Sequence, residues 1–389
     1  MTRHFSLRKV LSNTPKCLLR EFFDKIGHRP LSLDWNRLPG RKPEPLMLAI
    51  SLMDPVVQAH IETELARVFE LACTSGIQTY LEAARNAGFS GTPPGFPTNV
   101  TAYHQAMWAW LHYPEIVDRA TTMQQVDNLT RWRHRNGIPR VEPRTTPQTL
   151  DDFGKGLSNF LRQYDGRGDR CTVKHFRRED GIDYFVANPD DYWQELSSHD
   201  SQGKFVSRQG RLTFEIVFAY HREEGTLGLN APKIASDLKP KLEQLFGEIV
   251  LGEELTSCQN DAPYDLNRLR DRCFVLDTDP EDRVVFQLSS VRLGAKRRGR
   301  VTLDLVQDGV HRDIYDMADD WLHPQKVSWQ EVNITMATFR LQLLPKPGRR
   351  ARTLEVVVTF PDGCRVNSRD PRIIELIRKY LKRWRILRV

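Results

Sequence analysis

The sequence predicts an α+β protein in which an N-terminal all-helical domain precedes an antiparallel-sheet domain built from repeated β-hairpin-plus-helix units. Apolar residues recur with helical spacing before residue 165, and they alternate with period two after residue 170. A chain of 389 residues is long enough for about two or three hydrophobic cores. We therefore expect a helical domain at 1–168 and a β-rich repeat domain at 169–389, with units at about 200–252, 283–324 and 330–389.

Helix start signals recur through the first domain. Asp54-Pro55 and Tyr113-Pro114 each place a proline in the first turn of a helix, where its missing N–H breaks no hydrogen bond. The helix expected near 150–164 ends at a segment with two glycines, 165–169, and this places the domain boundary near residue 168. The apolar residues after the first signal share one helical face: Ile61, Leu65, Val68, Phe69 and Ala72.

Three segments of the second domain repeat one pattern. Residues 213–217, 302–306 and 353–357 each read Thr, large apolar, acid, aliphatic, Val, which predicts strands with one wet face. Upstream, 286–293 aligns without a gap on 334–341, and every copy leads into an amphipathic helix. A hairpin and one helix bury little surface alone, so the units should pack side by side in one sheet.

Basic residues concentrate in the loops between the paired strands and in the C-terminal helix. The net charge of +7 favours an anionic partner. If the units are equivalent, their basic loops emerge on one edge of the sheet, where their fields add and suit a phosphate backbone. The candidate nucleic-acid-binding residues are Arg208, Arg211, Lys296, Arg297, Arg298, Arg300, Lys346, Arg349, Arg350, Arg352, Arg378, Lys379, Lys382, Arg383 and Arg385.

The wet face of the sheet is a less favoured candidate surface. Arg292 and Arg340 occupy equivalent repeat positions one strand away from Asp304 and Glu355, which predicts cross-strand ion pairs. A nucleic acid laid on that face would meet these carboxylates, so the loop edge and the final helix are preferred.

A further cluster, 131–135, interleaves Trp132 and His134 with three arginines, as single-strand binders do when bases stack on aromatic side chains. The interpretation that we favour is a solvated helix end with Trp132 in the core.

Catalytic signals are weak. Phosphate-loop, dinucleotide, HExxH and GxSxG motifs do not occur, and the six cysteines lack zinc-site spacing. We therefore expect no catalytic residue, no metal ligand and no small-molecule cofactor. An acid-rich stretch leaves a divergent metal-dependent nuclease as the least favoured alternative, although 188–191 better predicts a turn before a capped helix. Its acids are Asp180, Asp183, Asp190, Asp191, Glu195 and Asp200.

These observations favour a non-catalytic nucleic-acid-binding or scaffolding protein that takes a duplex or a single strand, with a protein partner on the helical half. The alternative is a protein-interaction accessory subunit of a multi-component complex, whose positive charge meets an acidic partner. No stretch is apolar enough for a membrane helix, and scattered cysteines suit a reducing compartment, so we expect a cytoplasmic location. Residues 1–20, cationic and without acids, leave a mitochondrial presequence as the alternative. No motif identifies a family.

Overall fold

The structure is a computed structural model that describes residues 4–29, 35, 42–199, 204–255, 263–296, 300–307, 313–344, 351–366, 368 and 370–388, with the backbone alone for 198, 199, 295, 296, 300, 301 and 371. Two compact units emerge. Unit 1 comprises Met1–Asn128 and Glu195–Gly210, and unit 2 comprises Leu129–Gln194 and Arg211–Val389. Whether residues 1–168 and 169–389 fold as separate domains, with a boundary near residue 168, stays a prediction.

Unit 1 is helical. Side chains cap its helices as the sequence signals suggest: Asp54 accepts a hydrogen bond from the Val56 backbone, and Thr101 accepts one from His104. No helix in the described ranges is long and apolar enough to cross a bilayer. The helices are α1 (Leu7–Asn13), α2 (Lys16–Lys25), α3 (Glu44–Ser51), α4 (Pro55–Leu71), α5 (Thr74–Asn86), α6 (Ala102–His112) and α7 (Pro114–Asp127).

The remaining elements form an antiparallel sheet with helices between its strands. The strands are β1 (Arg131–Arg135), β2 (Cys171–Arg177), β3 (Ile182–His199), β4 (Phe205–Thr213), β5 (Ile216–His221), β6 (Thr226–Asn230), β7 (Val284–Lys296), β8 (Arg300–Val306), β9 (Val332–Leu343), β10 (Arg352–Thr359) and β11 (Gly363–Val366). The helices are α8 (Pro147–Asp165), α9 (Lys239–Phe246), α10 (Ile314–Leu322) and α11 (Pro371–Arg383).

The strand order is β2-β3-β5-β6-β1-β11-β10-β9-β7-β8, and β4 pairs with β3 off this path. With helices mostly N-terminal and strands mostly C-terminal in the described chain, the predicted α+β class is confirmed. We call β2, β3, β5 and β6 the first half-sheet, and β11, β10, β9, β7 and β8 the second half-sheet. Strand β1 joins them through short antiparallel pairings with β6 and β11.

The two half-sheets bury opposite faces. Residues directly opposite in an antiparallel pair share a face, and neighbours along a strand alternate. Arg133 pairs with Leu229, which belongs to the core beneath α8 and α9. Trp132 pairs with Cys364, which packs against the core beneath α10 and α11. Helices therefore cover one side of the first half-sheet and the other side of the second.

The repeated units are present in the second half-sheet. Strands β7 and β8 lead into α10, and β9, β10 and β11 lead into α11, which matches the predicted order of hairpin and helix. The first copy departs from this pattern, since Thr213 ends β4 and Ile216 begins β5. The signature at 213–217 therefore spans a break between two strands.

Two local predictions are wrong. Residues 131–135 form β1 and not a helix end, because they are hydrogen-bonded between β6 and β11. Residues 188–191 continue β3 and form neither a turn nor a helix start. There the Asp190 amide donates to the Arg170 carbonyl, and the Phe214 amide donates to the Pro189 carbonyl. Although Pro189 has no N–H to donate, β3 therefore remains hydrogen-bonded on both sides at this position.

Candidate nucleic-acid interface

The two basic hairpin tips of the second half-sheet lie at opposite ends of their strands. Lys296 pairs with Arg300 at the β7–β8 tip, and Leu343 pairs with Arg352 at the β9–β10 tip. Because β7 and β9 are antiparallel, Leu343 lies beside Val284, at the start of β7. At ~3.3 Å per residue the tips are about 40 Å apart. The expectation that these loops emerge on one edge is therefore wrong.

The remaining loop residues divide in three ways. Arg208 and Arg211 lie inside β4 and not at a tip; Arg208 is exposed and belongs to unit 1, whereas Arg211 belongs to unit 2. Arg352 is exposed at the start of β10. Outside the described residues lie Arg297, Arg298, Lys346, Arg349 and Arg350. The role of all these residues in nucleic-acid binding stays a prediction.

Two cations of helix α11 pair with a carboxylate from the first half-sheet. Glu224, in the β5–β6 turn, forms ion pairs with Arg378 and, at 2.7 Å, with Lys382. Burial would raise the pKa of Glu224, but the hydrogen bond from Lys382 and the charge of Arg378 outweigh it and lower that pKa. Two of the predicted binding cations thus share one anchored acid, which balances one of their two positive charges.

The next cations of α11 meet a second set of acids. Lys379 lies 2.7 Å from both Asp279 and Asp282, and Arg383 pairs with Asp279 and, at 2.6 Å, with Asp277. Hydrogen bonds from Lys379 and Arg383 lower the pKa of Asp279, and they raise the pKa values of both cations. This part of the helix therefore carries little net charge.

Only one predicted cation at the end of α11 has no partner among the described contacts. Arg385 is exposed and adopts a left-handed backbone with φ 54°, just beyond the helix. The acids that neutralise its neighbours come from far away in the chain, with sequence separations of 154 residues for Glu224 to Arg378 and 100 residues for Asp279 to Lys379. No local sequence pattern reports such pairings.

We name the side of the second half-sheet that faces away from α10 and α11 the open face. Its side chains are those that alternate with the core residues of each strand. Thr353, Glu355 and Thr359 of β10 are exposed, as are Arg340 and Gln342 of β9. The open face is therefore a broad polar surface on rigid strands.

A cross-strand arginine pair borders the open face. Arg131 of β1 lies directly opposite Arg365 of β11, and both side chains are exposed. Directly opposite residues have Cβ atoms about 5 Å apart, where like charges repel. Neither guanidinium has a hydrogen-bond or ion-pair partner in the described part of the chain. Sequence reasoning missed Arg365, and only the period-two alternation of 131–135 could have indicated that Arg131 lies on a strand.

Carboxylates near this arginine pair are already engaged. Glu243 of α9, with a side chain only 2% exposed, lies 2.7 Å from Arg133 and 3.4 Å from Arg135. Arg133 also lies 2.5 Å from Asp362. Burial raises the pKa of Asp362 despite Arg133, and burial lowers the pKa of Lys239, assisted by Arg133. These acids therefore do not neutralise the cross-strand arginine pair.

The other arginines of the open face differ from each other. Arg292 donates to the two oxygens of Asp304 at 2.5 and 2.8 Å, which confirms the predicted cross-strand pair. Arg340 lies directly opposite Glu355 but has no ion-pair partner among the described residues. The described open face thus holds three unpaired arginines, Arg131, Arg340 and Arg365, against one unpaired carboxylate.

The acids proposed for a nuclease have separate partners. Asp191 is buried and lies 2.6 Å from Arg167 and 2.6 Å from Lys233. Burial would raise its pKa, but the hydrogen bonds from these two cations lower the pKa to about 2. Asp183 pairs with His175 at 2.8 Å. No group of three His, Cys, Asp or Glu side chains suited to a metal ion occurs among the described residues.

The remaining acids of that stretch are also dispersed. Asp180 accepts a hydrogen bond from the Ile182 amide, and Glu195 accepts one from Ser207. Asp200 lies outside the described residues.

Comparisons with protein-family models, with curated proteins and with solved structures found no match.

Proposed function

We propose that this chain is a non-catalytic nucleic-acid-binding protein and that the open face of unit 2 contacts the phosphate backbone. The observation that carries the proposal is the excess of unpaired arginines on that face, with the pair Arg131 and Arg365 directly opposite each other. A polyanion relieves their mutual repulsion by placing phosphate oxygens between the two guanidinium groups.

The chemistry of the open face suits a backbone more than a base sequence. Threonine and glutamine side chains surround the arginines, and such groups donate hydrogen bonds to phosphate and sugar oxygens. Each neutralised phosphate releases a condensed counterion, so affinity should fall steeply with salt and vary little with sequence.

The direct test compares two sets of alanine variants of the full chain. We expect Arg131→Ala, Arg340→Ala and Arg365→Ala together to weaken binding to a labelled duplex by about tenfold or more at low salt. The slope of log affinity against log salt should become shallower by roughly 0.9 for each lost contact. The matched control is Lys379→Ala with Arg383→Ala, which removes cations that acids already neutralise.

Fluorescence anisotropy with a duplex and a single strand separates the outcomes. If the open-face variant binds as tightly as the parent while the α11 variant loses affinity, the surface predicted from sequence is the binding surface and the open face is not. If neither polymer shifts the anisotropy at low salt, the nucleic-acid function itself is wrong.

A second proposal concerns unit 1, which we propose binds a protein partner. Three aliphatic side chains follow one another at four-residue intervals along α3 and the start of α4: Leu48, Leu52 and Val56 are 62%, 74% and 77% exposed. Large apolar side chains that remain this exposed within a short segment mark candidate interaction sites. A protein partner should co-purify stoichiometrically with the chain and remain bound after nuclease treatment. The double variant Leu48→Ser with Leu52→Ser should lose this partner. If the double variant retains the partner, this site is wrong.

We also propose that the protein acts in the cytoplasm. The described cysteines that support this proposal are free thiols at Cys17, Cys73, Cys171, Cys273 and Cys364, as a reducing compartment maintains them. Fractionation of the native host tests the location.

A further inference from the structure

The strand pair β3–β4 carries an exposed tryptophan. Trp193 is 62% exposed, and the neighbouring residues Tyr192 and Leu212 are 48% and 51% exposed. All three belong to unit 2. Large apolar side chains that are this exposed on a surface mark a site where a partner binds.

Trp193 is held in place by a stacked and anchored arginine. The guanidinium of Arg211 lies 4.6 Å from the centre of the Trp193 ring. Arg211 in turn forms an ion pair with Asp169, which also lies 3.8 Å from Arg162. The ring is thus pre-oriented before any partner arrives, which lowers the entropy cost of binding to it.

We infer that Trp193 is a stacking site for an unpaired nucleobase, so that the nucleic acid bound by this protein contains a single-stranded segment. This inference rests on the proposed nucleic-acid function and adds the class of polymer. Bases stack on aromatic rings irrespective of their identity, and a positively charged surface beside the ring attracts the adjoining phosphates. Beside this ring, Arg211 and Arg162 share the single carboxylate of Asp169, which leaves the site with a net positive charge.

The open face cannot supply this interaction from its described positions. Its strand residues there are arginine, threonine, glutamine, serine, valine, methionine and acids, which offer charge and hydrogen bonds but no aromatic ring. Phosphate contacts on the open face and base stacking at Trp193 are therefore separable by mutation.

The test measures the affinity of the full chain for oligothymidylate and for a blunt duplex at low salt. We expect Trp193→Ala to weaken oligothymidylate binding roughly tenfold, the size of one lost base-stacking contact, and to leave duplex binding nearly unchanged. Trp193→Phe keeps an aromatic ring and should retain most of the affinity. Photo-crosslinking with an oligonucleotide that carries 5-iodouracil should label the peptide containing Trp193.

Tyr164→Ala is the matched control. Tyr164 is another exposed aromatic residue of unit 2, at 44%, and the cation Lys241 lies 4.1 Å from its ring centre. Unlike Trp193, it lies on α8 and not on the strand pair β3–β4. Equal losses in both alanine variants, or a crosslink that maps elsewhere, overturn the stacking site. If Trp193→Ala changes nothing while the open-face variant loses affinity for both polymers, only this inference fails. If the parent binds neither polymer, the proposed function fails with it.

Discussion

Helix α11 and the open face contrast in how their positive charge is balanced. The sequence of α11 holds the densest run of cations in unit 2, yet Arg378, Lys379, Lys382 and Arg383 all have acidic partners. The open face has fewer cations spread over several strands, and three of them are unpaired among the described residues. The electrostatic potential of a surface therefore follows from the positions of its acids as much as from the number of its bases.

The largest expected effect comes from a substitution of Glu243, the buried acid of α9. Glu243→Gln leaves Arg133 and Arg135 beside a neutral amide in a site where Glu243 is 2% exposed. Arg133 keeps Asp362 as a partner, so the loss is smaller than for an isolated buried charge, and we expect the free energy of unfolding in urea to fall by about 2–3 kcal/mol. Glu248→Gln, an exposed position just beyond α9, is the control and should change it by less than about 0.5 kcal/mol. Equal effects of the two substitutions contradict the ion-pair network.

The ion pairs of Glu224 with Arg378 and Lys382 of α11 should have a smaller effect on stability, and this effect depends on pH. The pKa of Glu224 is lowered, so the ionised carboxylate adds stability above its ordinary pKa near 4.5, and this stability is lost as the pH falls through the lowered value. Glu224→Gln removes charge-assisted hydrogen bonds of a half-buried group and should cost about 1–2 kcal/mol near neutral pH. Thermal unfolding at neutral and at acid pH should show that the loss shrinks as the pH falls below the ordinary pKa of a glutamate carboxyl. A loss that is independent of pH would mean that packing and not charge is affected.

Releasing the cations of α11 should turn it into a binding surface. Asp279→Asn with Asp282→Asn frees Lys379 and leaves Arg383 with Asp277 alone, while the amides keep the shape of the turn. We expect affinity for a duplex at low salt to rise by about two- to tenfold, with a salt slope steeper by roughly 0.9 for each new phosphate contact. Circular dichroism should show that α11 remains folded. Unchanged affinity in a folded variant would mean that α11 does not face the nucleic acid.

Local patterns of the sequence were sufficient for the fold class. The alternation in β9 and β10 and the repeated hairpin and helix are visible without any tertiary information, because each element buries one face of its own. The segment 131–135 also alternates, with arginines on one side and Trp132 and His134 on the other, so its strand could have been predicted.

The candidate site depends on information that the sequence does not carry locally. Whether β7 lies beside β9 decides where the basic tips emerge, and that is a matter of strand order. Whether Arg378 is free depends on Glu224, which lies 154 residues away. Strand order and long-range ion pairs arise when the cores assemble, so charge counts along the sequence do not show which cations remain unpaired.

The smallest expected effects come from two arginines that share the open face. Arg292 makes an exposed ion pair with Asp304, and Arg340 has no partner among the described contacts. Arg292→Ala should lower the free energy of unfolding by at most about 0.5–1 kcal/mol, and Arg340→Ala should leave it within measurement error. Duplex affinity should show the opposite ranking, because Arg340, unlike Arg292, forms no ion pair among the described residues. Equal losses of affinity in the two variants would mean that pairing with Asp304 does not withhold Arg292 from the phosphate backbone.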